Sequence, residues 1–238
     1  MVGGAIHAMN VLCDWGLQGL RASARNRIVV IVDVLSFSTA TTIAVGRGAT
    51  IFPCEWNDDR AIALAKEVRA ELASKRGQGK FSLAPASLRD VPRGLRLVLP
   101  SPNGSTLAYL ARELDASAVV IGCLRNAAAV ARWVGDRPAA VIAAGEKWSD
   151  GSLRFAIEDW LGAGAIISRL ADRSHDAEAA AAAFERLRDK THDALTASRS
   201  GRELIDLGYP EDVDLASEVD VDEAVPLLDG NAFTLATP

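Results

Sequence analysis

One segment of the chain, residues 27–35, constrains the fold more than any other. It reads Arg-Ile-Val-Val-Ile-Val-Asp-Val-Leu, a β-branched run in which polar and apolar positions do not alternate. A sheet with one face in water would carry polar residues at every second position, so this run predicts a strand buried on both faces. Such strands belong to parallel sheets that helices cover on either side.

The same order of strand and helix recurs along most of the chain. Further strands are predicted at 5–12, 49–53, 95–99, 118–121 and 139–142, and helices at 38–45, 58–75, 106–113, 126–134, 154–169, 176–196 and 202–207. This alternation predicts an α/β fold of three layers, with a mostly parallel or mixed sheet and helices on both faces. We expect a single domain over 1–238, with two closely fused α/β halves as the alternative.

The net charge and the cysteine content argue against several classes of function. The formal net charge is -5 and the basic residues form no stripe, which argues against a nucleic-acid partner. No stretch approaches the ~20 apolar residues that cross a bilayer, and we expect a cytoplasmic protein without a membrane partner. The three cysteines are too widely spaced for a disulfide framework or a zinc site.

Four polar turns follow predicted strands, at residues 33–39, 101–106, 122–126 and 145–159. In open α/β sheets, ligands bind outside the carboxyl ends of the strands. The four turns therefore predict one shared site for a small anionic molecule. Because the overall charge is negative, local donors or a metal ion must hold that anion.

The turn at 102–106 combines several donors for an anion. Gly104 allows the backbone to approach a ligand, and the helix that follows offers free N–H groups. Asn103, Ser105 and Thr106 add side-chain donors. An ordinary turn with a helix cap is the alternative interpretation.

Four of the five acidic residues in these turns are candidates for the site. Asp33 ends the buried strand, where a carboxylate is costly unless it is paired or bound to a cation. Glu158 and Asp159 are adjacent in an otherwise apolar segment, a setting that favours a divalent cation such as Mg²⁺. Glu146 is a further candidate. Helix capping or the helix dipole would explain the same acids without a ligand.

Taken together, these turns resemble the 2-phosphosulfolactate phosphatase family. The resemblance covers most of the chain and is carried by Asp33-Val-Leu-Ser-Phe-Ser-Thr39, Pro102-Asn-Gly-Ser105, Gly122-Cys-Leu-Arg-Asn126, Ala144-Gly-Glu146, Ile157-Glu-Asp159, Gly162-Ala-Gly164, Ser200-Gly-Arg-Glu-Leu204, Gly208-Tyr209 and Asp212-Val213.

The resemblance implies Mg²⁺-dependent hydrolysis of a phosphate monoester, 2-phosphosulfolactate, within coenzyme M biosynthesis. The residues expected in catalysis are Asp33, Asn103, Asn126, Glu158 and Asp159, of which Asp33, Glu158 and Asp159 would bind the metal. The residues expected to contact the substrate or its phosphate are Ser36, Ser38, Thr39, Gly104, Ser105, Thr106, Arg125 and Glu146.

The chain departs from the family at two places. Ser36 stands where the family usually has Arg, a strong partner for phosphate or sulfonate, and Leu83-Ala84-Pro85 replaces an Asn-Ser-Pro segment. Arg125 is the candidate replacement guanidinium. The alternatives are a phosphatase for another phosphorylated hydroxy acid, a non-catalytic protein that binds anionic metabolites, and a scaffold without a ligand. A homo-oligomer is left open.

Overall fold

The structure, a computed structural model, describes residues 9–55 and 57–237. Its strands are β1 (Val11–Trp15), β2 (Ile28–Val32), β3 (Thr50–Cys54), β4 (Glu71–Leu72), β5 (Arg96–Pro100), β6 (Ala118–Gly122), β7 (Ala139–Ala143), β8 (Glu146–Lys147), β9 (Leu153–Arg154), β10 (Pro226–Asp229) and β11 (Ala232–Leu235). Its α-helices are α1 (Gly16–Ser23), α2 (Phe37–Gly46), α3 (Asp59–Glu67), α4 (Gly104–Glu113), α5 (Ala127–Val134), α6 (Ile157–Ile167), α7 (His175–Leu187), α8 (Thr191–Ala197), α9 (Arg199–Asp206) and α10 (Pro210–Ser217).

Among the described residues, nine strands form one mixed sheet in the order β1-β7-β2-β6-β10-β11-β3-β5-β4. The strands pair in parallel except at β10 and β11, which form an antiparallel hairpin in the middle of the sheet. This arrangement confirms the predicted three-layer α/β fold.

Strand β2 is buried on both faces, as its composition predicts. Val30 and Val32 pack into the apolar core shared with α5, α6 and α7. Val29 and Ile31 pack into the opposite core, shared with α1, α2 and α4. A strand that belongs to two cores needs apolar side chains at every position, which explains the missing alternation.

Several predicted boundaries differ from the structure. Positions 5–8 of the first predicted strand lie outside the described residues, and β1 begins at Val11. Asp58 caps α3 as predicted, but the helix ends at Glu67 because Arg69 adopts a left-handed φ of 51°. The region 176–196 holds two α-helices rather than one, separated by a 3-10 turn at Arg188–Lys190.

The α-helices and strands that were not predicted are α1, α10, the two-residue strands β4, β8 and β9, and the hairpin of β10 and β11. The hairpin follows an acidic segment and its strands have only four residues each, which gives little periodicity to detect. In the described parts of the chain, no helix has the length and apolar character needed to cross a membrane.

Candidate active site

The turns after β2 and β5 meet at Asp33. The Gly104 amide donates a 3.0 Å hydrogen bond to Asp33 Oδ2, and the Phe37 amide donates at 3.4 Å to Oδ1. Asp33 is 6% exposed. The predicted convergence of these two turns is therefore observed, and one of the predicted anion donors is already used by a carboxylate.

Glycine is required at position 104 for this contact. A Cβ there would lie 2.3 Å from the Phe37 ring and 2.9 Å from Asp33 Oδ2. Strands β2 and β5 are five places apart in the sheet, which corresponds to about 24 Å in a flat sheet. The few residues between each strand and its turn cannot span that gap, so the sheet curves around α2 and α4.

Asp159 joins two further turns. Its Oδ1 accepts from the Val34 amide at 2.7 Å and its Oδ2 accepts from the Gly145 amide at 2.8 Å. The first turn of α6 thereby connects the turn after β2 with the turn after β7. This geometry gives Asp159 a positioning role that the sequence interpretation, which made it a metal ligand, did not include.

Three acids of the site, Asp33, Glu158 and Asp159, have raised pKa values. Burial raises the pKa of Asp33 to about 7, with a further contribution from the negative charge of Glu146, against the amide hydrogen bonds that lower it. Burial also raises the pKa of Asp159, to which Asp33 and Glu158 add repulsion. Burial raises the pKa of Glu158 as well. A cation would relieve this accumulation of negative charge.

A preformed cage of protein ligands is not part of the site. Within residues 9–55 and 57–237, no group of three or more His, Cys, Asp or Glu side chains is arranged to hold a metal ion. Mg²⁺ commonly uses one or two carboxylates and completes its shell with water and substrate phosphate. Glu146, which lines the cleft near Asp33, suits that simpler mode of binding, and Asp33, Glu158 and Asp159 as a joint ligand set stay a prediction.

A cleft of about 340 Å³ opens beside these acids. It lies outside the carboxyl ends of β1, β5 and β7, where the α/β fold places ligands. Asn103, Thr106 and Glu146 contribute polar groups to it. The cleft is lined by Trp15, Gly16, Leu17, Gln18, Pro102, Asn103, Thr106, Leu107, Ala144, Gly145, Glu146, Lys147, Gly151, Ser152 and Leu153.

Most of the hydroxyl groups that were predicted to contact a substrate form hydrogen bonds with backbone groups instead. Ser38 Oγ donates to the Ile31 carbonyl and accepts from the Asp33 amide, and Thr39 donates to the Val34 carbonyl. Ser105 accepts from the Cys54 amide and donates to the Leu99 carbonyl. These three side chains are buried and shape the turns. Ser36, not Ser38 or Thr39, precedes α2, and its hydroxyl makes no capping bond.

Asn126 and Arg125 also lie in different surroundings from those expected. The Asn126 amide group donates to the carbonyls of Ile121 and Ala224, and its oxygen accepts from the Cys123 amide. With its polar atoms engaged and the residue fully buried, Asn126 stabilises the turn after β6. Arg125 pairs with Glu218 and Asp222, so its guanidinium is not the replacement cation that we predicted.

Two cationic side chains near the site were missed. Arg154 pairs in register with Glu146 across β8 and β9, is 7% exposed, and donates to Ser200 Oγ at 3.4 Å. Its charge and the Ser200 hydroxyl both oppose the rise in the pKa of Glu158. Arg76 donates to Ser36 Oγ at 2.6 Å. Only folding brings either arginine to the acids, so no local pattern signals them.

The chain is similar in sequence to proteins of one family. The model of the 2-phosphosulpholactate phosphatase family matches residues 17–231. A protein of Methanothermobacter thermautotrophicus named 2-phosphosulfolactate phosphatase is 30% identical over 206 residues, covering 84% of this chain and 86% of its own. A probable 2-phosphosulfolactate phosphatase of Carboxydothermus hydrogenoformans is 30% identical over 212 residues, covering 86% and 87%.

The fold, the acidic site and these relatives place the chain in the class of phosphoric monoester hydrolases. Because the family match covers most of its length, the chain belongs to the 2-phosphosulfolactate phosphatase family.

Proposed function

We propose that the protein is a Mg²⁺-dependent phosphatase that hydrolyses 2-phosphosulfolactate, or a related phosphorylated hydroxy acid, to the hydroxy acid and phosphate. The hydrogen bond between Asp33 and the Gly104 amide carries the proposal, since it brings a buried acid to the first turn of a helix beside an open cleft. With 2-phosphosulfolactate as the substrate, the reaction would belong to coenzyme M biosynthesis.

The phosphoryl group would lie at the first turn of α4. The Ser105 and Thr106 amides have no intrahelical acceptor there, and Asn103 adds a side chain at the cleft. These groups stabilise the negative charge on the phosphoryl oxygens.

Asp33 has the ionisation that a general base needs at neutral pH. With a pKa of about 7, it accepts a proton from the attacking water. The water oxygen forms a bond to phosphorus while the ester P–O bond breaks. Glu158, whose pKa burial raises, then supplies the proton that the leaving hydroxyl oxygen requires.

Glu146, which lines the cleft near Asp33, would hold Mg²⁺ together with water and the substrate phosphate and would leave Asp33 to act as the base. The bound ion would neutralise phosphoryl charge and lower the pKa of coordinated water.

The test is phosphate release by the purified protein from 2-phosphosulfolactate, measured with Mg²⁺ and with EDTA. Asp33→Asn should lower kcat by about 10²–10⁴-fold because it removes the base. Asp150→Asn, an equivalent change on an exposed acid of the loop between β8 and β9, should leave kcat unchanged. If the wild-type protein binds phosphorylated acids but releases no phosphate, the non-catalytic alternative is correct.

A further inference from the structure

The turn after β2 carries no cation of its own, yet a guanidinium reaches it from elsewhere. Residues 33–39 are Asp-Val-Leu-Ser-Phe-Ser-Thr. Arg76, in the irregular segment after β4, donates from Nη2 to Ser36 Oγ at 2.6 Å. Ser36 is three residues after Asp33, so the guanidinium contacts the turn that carries this acid.

The arginine is held from several sides. Its Nη1 pairs with Asp212, whose side chain is 1% exposed, and its Nη2 lies 3.5 Å from the Leu83 carbonyl. The Tyr209 ring centre is 5.6 Å from its Cζ atom. Asp212 in turn accepts from the Ala86 amide at 3.1 Å. These contacts fix the orientation of the guanidinium before any ligand binds.

Part of the guanidinium stays available to a ligand. An arginine side chain has five N–H donors, and no residue in the described part of the chain accepts from Nε of Arg76. Arg76 lines a second cleft of about 440 Å³ together with Lys75, Asn57 and Ser101. Glu55 is the one acid among the described residues of this lining.

The two clefts lie on either side of the turn after β5. Both are lined by Pro102, and both open outside the carboxyl ends of strands. Pro102 separates the candidate phosphoryl site at Asn103 from Arg76, so a second group on the substrate would have to pass this residue to reach the guanidinium. The positive charges of Arg76 and Lys75 favour an anion in that position.

We infer that Arg76 is a specificity-determining residue that binds a carboxylate or sulfonate of the substrate, separate from the phosphoryl group. This inference rests on the proposed function, and it assigns recognition of the substrate's acid group to Arg76. The Nε–H group of Arg76 would donate to such an oxyanion next to the positive charge, a directed contact that a lysine would not reproduce.

The test compares KM for 2-phosphosulfolactate, 2-phospholactate and p-nitrophenyl phosphate. Arg76→Ala should raise KM about tenfold to a hundredfold for a substrate whose acid group it binds and leave p-nitrophenyl phosphate within about twofold, with kcat little changed. A rise for both acids identifies the carboxylate, and a rise for 2-phosphosulfolactate alone identifies the sulfonate. Arg76→Lys should give an intermediate KM because the charge stays and the directed contact is lost.

Two controls separate binding from structure. Arg89→Ala breaks the neighbouring exposed pair with Glu211 and should leave every KM unchanged. Asp212→Asn keeps the guanidinium but removes the charge that orients it, so KM should rise by less than in Arg76→Ala. If Asp212→Asn raises KM as much as Arg76→Ala does, the arginine only supports the fold and the inference is wrong.

A binding measurement keeps this inference distinct from the proposed function. Calorimetric titration with sulfolactate should show binding by the wild-type protein that Arg76→Ala weakens by a similar factor. If the wild-type protein binds sulfolactate through Arg76 but hydrolyses no substrate, only the phosphatase proposal fails. If hydrolysis occurs and Arg76→Ala leaves every KM unchanged, only the role of Arg76 fails. If the wild-type protein neither hydrolyses nor binds, both fail.

Discussion

The Gly104 amide donates to Asp33 Oδ2 at 3.0 Å across 71 residues of sequence. This bond connects the turn that carries the candidate base with the turn that would hold the phosphoryl group. Because β2 and β5 are five places apart in the sheet, the two turns can meet only if the sheet is curved.

Gly104→Ala should disrupt this connection. The added Cβ would lie 2.3 Å from the Phe37 ring, and both α2 and α4 would have to shift. We expect the free energy of unfolding to fall by about 1–3 kcal/mol, as for other overpacked sites. Urea unfolding measures this change. A variant as stable as the wild-type protein would show that the two turns are not in close contact.

Stability should decrease as the pH rises toward neutral. The Asp33 carboxyl has a pKa of about 7 in the folded chain against an ordinary value of 3.8. Between these values the folded state binds more protons than the unfolded state, so the free energy of unfolding falls with rising pH and then levels above pH 7. Asp159 and Glu158, whose pKa values are also raised, contribute with the same sign.

Urea midpoints at pH 5, 6, 7 and 8 measure this dependence. Asp33→Asn should flatten much of the slope, because the amide does not titrate, and should be more stable than the wild-type protein at pH 8 in the absence of metal. If the urea midpoints of the wild-type protein and Asp33→Asn change with pH in the same way, Asp33 ionises with an ordinary pKa.

Asp159→Ala should be strongly destabilising. It leaves the buried Val34 and Gly145 amides without an acceptor, at an expected cost of about 2–5 kcal/mol. Asp150→Ala, at an exposed position, should change stability by less than about 0.5 kcal/mol. Equal effects of the two substitutions would contradict the positioning role of Asp159.

Mg²⁺ should stabilise the protein, and more strongly at pH 8 than at pH 6. A cation binds the ionised carboxylates, and Asp33 ionises with a pKa of about 7. At a hundredfold excess over Kd, the expected gain is about 2.7 kcal/mol. Thermal unfolding with Mg²⁺ and inorganic phosphate, before and after EDTA, measures it. Glu146→Gln should reduce the gain, and an unchanged Tm at pH 8 would contradict the metal proposal.

Sequence patterns predicted the fold class because the burial of a strand or helix shows in the order of its own apolar and polar residues. The unbroken apolar run of β2 reflects its two cores, and the strand and helix alternation reflects the layers. Gly162 and Gly164 allow α6 to pack closely against its neighbours. A Cβ on Gly162 would lie 2.7 Å from Val34 Cγ2, and one on Gly164 would lie 2.1 Å from the Ala180 carbonyl oxygen.

The candidate site was only partly predictable. Asp33 and Gly104 lie at the ends of recognisable strands, so their convergence could be anticipated from the rule for parallel sheets. Whether a polar side chain faces a ligand or a backbone group depends on contacts at long range. Asn126 and Ser38 therefore resemble site residues in sequence, although the backbone uses their polar atoms.

By itself, the amino-acid sequence determined the layered α/β architecture, the family, and the segments that carry the acids. The tertiary structure decided how those segments combine. The hairpin of β10 and β11 joins β6 and β3 in the middle of a curved sheet, and the folded chain brings Arg76 to Ser36 across 40 residues. The burial of a strand or helix shows in the hydrophobic pattern of its own residues. Contacts between residues distant in sequence depend on how the whole chain packs.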